Sequence, residues 1–239
     1  MENESLRGQT MKSNKDYVVL LHGLARTANS MNKIADAFRK RGYHTLNLGY
    51  PSRSDKIENL SLKVLTTALD LCTGELEEQQ RTQAREGQIH FVTHSMGGIL
   101  LRHYLLHHKI RNLGQSVMIA PPNQGSEVVD FFGNTPGFKL LNGPAGMQLG
   151  TNEESLPLRL GPVTFPVGII AGDRSINPLL SRRLPKPNDG KVSVASTMVE
   201  GMADFIQLPL NHTFIMRNKE VIRQSTTFIE TGRFRHREQ

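Results

Sequence analysis

Along the chain, short and almost wholly apolar runs alternate with segments whose apolar residues recur every three or four positions. Tyr17-Val18-Val19-Leu20-Leu21 is a continuous apolar, β-branched run, the pattern of a strand buried on both faces of a parallel sheet. Met31, Ile34, Ala35 and Phe38 then fall on one helical face, and Gly42 is placed to end that helix. Residues 45–48 read as a second strand. Ile57, Leu60, Val64, Ala68 and Leu71 form another helical stripe, which runs out into the polar stretch 75–88, read as a solvated helix end and loop. Strand-like runs return at 89–93, 116–120, 167–171 and 205–208, making about six core strands. The segment 99–106 is apolar on most faces, as a central buried helix would be, and Val221, Ile222, Ser225, Phe228 and Ile229 mark a closing amphipathic helix. This alternation predicts an α/β fold with a mostly parallel sheet flanked by helices.

One segment breaks the rhythm. Residues 121–166 are too long for an ordinary connection and rich in Gly and Pro, yet they carry Phe131, Phe132, Phe138, Leu140, Leu141, Met147 and Leu149. A short cap or lid-like insertion is expected, with Phe131, Phe132, Phe138 and Leu141 as candidate substrate-binding residues. The alternative is that these side chains only pack a small cap onto the core.

The strand at 89–93 leads into chemistry. Phe91-Val92-Thr93-His94-Ser95-Met96-Gly97-Gly98 ends an apolar run in a serine flanked by small residues and passes directly into a helix. A serine hydroxyl is a poor nucleophile, so an enzyme that uses one must hold it rigidly, expose its oxygen and surround it with donors for the charge that develops. A sharp strand-to-helix turn does this, and Gly97 and Gly98 supply the space it needs. In the pattern G-x-S-x-G the first glycine is here Thr93, so the octet alone also fits an ordinary strand-loop-helix junction. A second feature sits after the first strand, at His22-Gly23-Leu24-Ala25. Acyl transfer needs two oxyanion donors, one from the amide after the nucleophile, here Met96, and one from a loop after a neighbouring strand, here the amide of Leu24.

With these two motifs in order, the chain resembles the α/β-hydrolase superfamily, specifically its small bacterial lipases and esterases. The resemblance extends over most of the chain, because Asn188-Asp189-Gly190-Lys191-Val192 is similar to the acid-bearing loop of true bacterial lipases and Asn211-His212 to the pair that carries their catalytic histidine. It implies a Ser95-His212-Asp189 triad acting through an acyl-enzyme, in the chain order expected of this fold. Asp173, at the end of the strand 167–171, is the competing acid and is more easily read as a turn or salt-bridge residue, followed as it is by Arg174 and the Asn177-Pro178 pair. His94 is expected to point into the helix-sheet packing, and His22 to brace the oxyanion loop. The fold would be a minimal version, since the sixteen polar residues before the first strand leave no room for the antiparallel strands of larger relatives. Related lipases often carry a structural calcium bound partly by an aspartate shortly after the catalytic histidine. The stretch here is Thr213-Phe214-Ile215-Met216, so no calcium is expected.

Composition narrows the remaining choices. A chain of 239 residues suits one domain with one sizeable core. The single cysteine, Cys72, excludes an internal disulfide, and its leucine-rich setting suggests a buried thiol. The N-terminal stretch 1–16 has no apolar core of a signal peptide and no segment is apolar for eighteen residues, so a cytoplasmic location is expected. The net charge of +7 attracts anions, but Arg39-Lys40-Arg41, Arg182-Arg183 with Lys186, and the tail Arg233, Arg235, His236 and Arg237 are not interleaved with aromatics. No nucleic acid is expected as partner. A small ester or lipid is, together with a weak contact to an anionic membrane surface. His103 and His107 share a helical face but lack a carboxylate or cysteine beside them, so neither metal nor cofactor is expected. The expected activity is that of a serine esterase or lipase. An acyltransferase or thioesterase on the same triad, and a non-catalytic hydrolase-fold binding protein, stand as alternatives.

Overall fold

The computed structural model describes residues 16–80, 87–133, 135, 137–176 and 181–236. The stretches 1–15 and 81–86, the Asn177-Pro178 pair and Arg237 lie outside the described residues. Six strands, β1 (Tyr17–Leu21), β2 (His44–Leu48), β3 (Ile89–His94), β4 (Leu113–Ile119), β5 (Val167–Gly172) and β6 (Asp204–Leu208), form one sheet in the order β2-β1-β3-β4-β5-β6, with every pairing parallel. Every residue of β1, β3 and β5 is buried, as the continuous apolar runs of β1 and β5 require, and in β3 the burial takes in His90, Thr93 and His94 as well. β4 begins three residues before the apolar run at 116, because Ile89 already pairs with Leu113 across a register shift.

Two apolar layers cover the sheet. On one face α2 (Ile57–Gln80) and α3 (Met96–His107) pack Leu65, Cys72, Ile99 and Leu100 with Phe91, Leu21 and Ile169. On the other, α1 (Asn32–Arg39) and a C-terminal helix spanning Lys219–Thr231 pack Ile34, Phe38, Val221 and Phe228 with Val18, Leu20, Val92 and Ile170. α1 is entered through a 3₁₀ turn at Ala28–Met31, and Gly42, at φ 85, takes the left-handed conformation just beyond its end. No helix of the described residues is long and apolar enough to cross a membrane.

The strand order sets the site. After β1 the chain adds β2 on one side and then returns to place β3 on the other. The carboxyl ends of β1 and β3 therefore flank the point where open α/β sheets gather ligands.

Between β4 and β5 the chain forms α4 (Glu127–Phe132), α5 (Phe138–Met147) and the short α6 (Leu156–Arg159). Hydrogen bonds tie these to one another and to the body. Gln148 accepts from the Ile57 amide at 2.7 Å and donates to the Glu58 carboxylate at 2.8 Å, and Asp130 accepts from the Thr151 hydroxyl at 2.6 Å. Gly143 kinks α5 at φ 65, where a Cβ would stand 2.1 Å from the Arg53 carbonyl oxygen. The buried guanidinium of Arg102 in α3 donates to the Asn123 carbonyl and to the Gly161 carbonyl, and the Asn123 side chain donates to Thr197 in α7 (Val194–Thr197). The closing helix, Lys219–Thr231, is α8.

Candidate active site

Ser95 occupies the single residue between β3 and α3, at φ 53 and ψ −124. A non-glycine residue at positive φ is strained and persists only where its surroundings enforce it. Here they do: the Ser95 amide donates to the Ile119 carbonyl at 2.9 Å, and the helix that follows is pressed onto the sheet through two glycines. A Cβ at Gly97 would stand 2.6 Å from the Leu21 carbonyl oxygen, and one at Gly98 would stand 3.2 Å from the Thr93 hydroxyl. The second distance explains how Thr93 can replace the first glycine of the motif. Its side chain occupies the space that the missing Gly98 side chain leaves.

His212 and Asp189 meet Ser95 in one line. His212 Nε2 lies 3.1 Å from Ser95 Oγ and its Nδ1 lies 2.6 Å from Asp189 Oδ2. The carboxylate can only accept, so Nδ1 carries the proton and Nε2 is left to accept from the serine hydroxyl. Asp189 is buried and saturated on its far side, where Oδ1 accepts from the Lys191 amide at 2.9 Å and the Val192 amide at 2.8 Å. The loop is built for this: Gly190 turns at φ 94, and the buried Asn188 side chain accepts from Gly190 and from Ser181. The His212 amide closes the arrangement by donating to the Asp189 carbonyl at 3.1 Å. Asp173 is elsewhere, with Oδ2 accepting from Gln207 at 2.7 Å and Oδ1 3.5 Å from the Arg174 guanidinium.

The loop after β1 approaches from the other side. Gly23 is obligatory, since a Cβ there would stand 2.9 Å from His94 Nδ1 and 3.0 Å from Ser95 Cβ. His22 braces the loop, as its sequence position suggests. Its Nδ1 donates to the Gly23 carbonyl at 2.9 Å, its Nε2 accepts from the Tyr50 amide at 3.3 Å, and the two rings stack at 4.0 Å. The Tyr50 hydroxyl donates to the His22 carbonyl, and Ser52 Oγ accepts from the amide of Ala25, a second residue at positive φ. Tyr50 and Ser52 had no signature of their own beyond a Gly-Tyr-Pro-Ser stretch after β2. Leu24, the candidate oxyanion donor, lies between these anchors, and Met96, the other, is the first residue of α3.

A cavity of about 260 Å³ opens at Ser95 and His212, with Leu24, Val128, Val129, Phe138 and Leu149 among its apolar walls. Of the four aromatic and aliphatic residues singled out in the insertion, Phe138 is in that wall. Phe132 packs behind it with ring centroids 6.4 Å apart, Leu141 lines an adjoining outer groove, and Phe131 is exposed with the Arg183 guanidinium 5.9 Å from its ring. The rings of His103 and His107 stand 4.8 Å apart, and among the described residues no three His, Cys, Asp or Glu side chains gather as a metal site would need.

The expectation for His94 needs correction. It packs against the site: its ring centroid lies 5.0 Å from that of His212, and its Nε2 donates to the His212 carbonyl at 3.2 Å. Burial, reinforced by the charges of His212, Arg26 and Lys191, holds His94 well below the ordinary histidine value of 6.5, and burial also lowers His22. Both are therefore neutral in the folded protein at pH values where the unfolded chain takes up protons. The stability they contribute is complete above about pH 6.5 and is lost on acidification at up to about 1.4 kcal/mol per pH unit for each group. The urea midpoint should fall between pH 7 and 5, and His94→Gln should flatten that fall by about one group's share. An unchanged slope would mean that His94 takes a proton as readily folded as unfolded.

Comparison with known proteins agrees with the topology. A family model described as the alpha/beta hydrolase family matches residues 18–214. Among curated proteins none matches the sequence significantly. Among solved structures, the phospholipase PlaB from Legionella pneumophila superimposes with a TM-score of 0.66 at 17% identity, over 88% of this chain and 57% of that one. The present chain thus spans little more than half of that protein. The mature lipase BlEst2 from Bacillus licheniformis gives a TM-score of 0.63 at 15% identity over 96% of both chains. The esterase Pf2001 from Pyrococcus furiosus gives 0.60 at 16% identity, over 91% of this chain and 83% of that one.

Proposed function

The chain belongs to the alpha/beta hydrolase family, and from that premise we propose that it is a serine hydrolase of carboxylic esters, working through Ser95, His212 and Asp189. The observation that carries this reading is the unbroken line from Ser95 Oγ through His212 to the buried Asp189 carboxylate, beginning at a residue strained onto an elbow. In the first half-reaction Ser95 Oγ attacks the ester carbonyl carbon while His212 Nε2 takes its proton. The tetrahedral oxyanion accepts from the amides of Leu24 and Met96, and Asp189 stabilises the imidazolium. When the C–O bond to the leaving alcohol breaks, His212 returns the proton to that oxygen. Water then attacks the acyl-Ser95 carbonyl, gives its proton to His212, and the acid leaves as Ser95 recovers its hydrogen. Labelling by a fluorophosphonate, with mass mapping of the adduct, tests the reading. An adduct on Ser95 supports it, and an intact protein that neither labels nor turns over aryl esters overturns it.

The apolar wall formed by Leu24, Val128, Val129, Phe138 and Leu149 is suited to an acyl chain. Its limited volume, about 260 Å³, favours short to medium chains. With Thr213-Phe214-Ile215-Met216 offering no carboxylate after the catalytic histidine, activity should be unchanged by a calcium chelator. Turnover of soluble short-chain esters should exceed that of long-chain triglyceride emulsions. Loss of activity on chelation, or a steep preference for the emulsion, would count against both statements.

A further inference from the structure

Two cations share the cavity with the serine, one on each of the loops that frame it. Arg26 lies two residues beyond Leu24, and Lys191 two residues beyond Asp189. Both backbones are held. The Arg26 amide donates to the Gly23 carbonyl at 3.2 Å, just after the left-handed Ala25. The Lys191 amide donates to Asp189, and its carbonyl accepts from Ser126 Oγ at 2.7 Å. Neither charged head group has a hydrogen bond or ion pair to another described residue, and no Asp or Glu is among the described residues that line the cavity. The nearest catalytic carboxylate, Asp189, is engaged by His212 and two amides. Desolvation in the pocket, followed by the positive charge of Arg26, pulls the Lys191 ammonium below the ordinary lysine value against the opposing pull of Asp189.

Two like charges directed at one partly apolar cavity repel each other, and an enzyme for neutral esters gains nothing from the arrangement. An anion between them removes the repulsion and receives charge-assisted hydrogen bonds from both sides. Resting on the esterase reading above, we propose that the substrate carries a negative charge on its alcohol part, a phosphate or a carboxylate, which Arg26 and Lys191 bind while the acyl chain lies on the apolar wall. Arg26 also lines the outer groove with Arg53, so the anion would enter along a basic path.

The test uses two ester pairs of equal acyl length. 4-Hexanoyloxybenzoate is compared with 4-hexanoyloxybenzamide, and dihexanoylphosphatidylglycerol below its micellar concentration with dihexanoylglycerol. The ratio of kcat/KM, anionic over neutral, should be about tenfold or more in at least one pair, carried by KM, and should shrink in 0.5 M salt. A preference in the first pair alone identifies a soluble carboxylate, in the second alone a phospholipid-type headgroup, and in both an unselective anion site. Arg26→Gln with Lys191→Gln should bring the ratio toward one, with the circular dichroism spectrum checking the fold. Ratios near one in the wild type, or a preference that survives the double substitution or high salt, would overturn the proposal. Turnover of the neutral esters alone would leave the esterase reading standing, whereas failure of every ester together with absence of Ser95 labelling would remove that reading instead.

Discussion

Ser95→Ala is expected to lower ester turnover by about 10⁶-fold, to abolish phosphonate labelling, and to leave the fold and its melting temperature nearly unchanged. The size of the loss follows from what is removed, which in the proposed mechanism is the atom that forms the covalent bond to the acyl group. The preserved stability follows from the elbow. Alanine must adopt the same φ 53 and ψ −124 as serine, so the strain is carried over, and the hydroxyl surrenders one hydrogen bond at the margin of a solvent-connected cavity. Ser95→Gly separates strain from chemistry. Glycine relieves about 1–3 kcal/mol of backbone strain and loses about 0.5–1 kcal/mol to chain entropy, so this variant should be equally inactive and melt a few degrees above Ser95→Ala. Residual labelling of the alanine variant would place the nucleophile elsewhere. A glycine variant less stable than the alanine one would show that the elbow is not strained by its side chain.

The parts of this molecule that were legible in the sequence are those where one local pattern has one physical solution. An uninterrupted run such as Val167-Gly168-Ile169-Ile170-Ala171 can only be satisfied by burial on both faces, and all six strands fall where their runs lie. The candidate site was legible in part from backbone geometry, which asks for small residues beside a serine on a sharp turn and suits a His-Gly pair after a strand, and in part through the resemblance, which alone pointed to Asp189 and His212. What escaped is contact between distant segments. The sequence around His94 reads as packing because nothing in it reveals that the carbonyl of His212, 118 residues away, comes to its Nε2. The insertion resisted for another reason. α4 has six residues and α5 is broken at Gly143-Pro144, so no period was long enough to tell the Phe138 that enters the cavity wall from the exposed Phe131 and Leu141. The pairing of Arg26 with Lys191 needs two loops from opposite ends of the chain and carried no motif at all.

Asp189→Asn should lower kcat by about 10⁴-fold with little effect on KM, while Asp173→Asn should retain most activity. The asparagine at 189 has one sensible orientation. Its oxygen must face the Lys191 and Val192 amides, which only donate, so its NH₂ faces His212 Nδ1. That nitrogen is then forced to accept, the ring proton moves to Nε2, and the imidazole presents a hydrogen to Ser95 Oγ where it needs a lone pair. The geometry is preserved and the base is lost, which is why the effect should fall on kcat and not on substrate affinity. Asp173 has the more conventional address, at the end of β5, yet its carboxylate is committed to Gln207 and the Arg174 guanidinium. Its amide analogue can still accept from Gln207, so neither the triad line nor the loop 188–193 should move. Steady-state kinetics on a soluble ester, with urea midpoints of both variants confirming a normal fold, decides between the two acids. Loss of turnover in Asp173→Asn with Asp189→Asn active would transfer the orienting role to Asp173 and leave Ser95 and His212 in theirs.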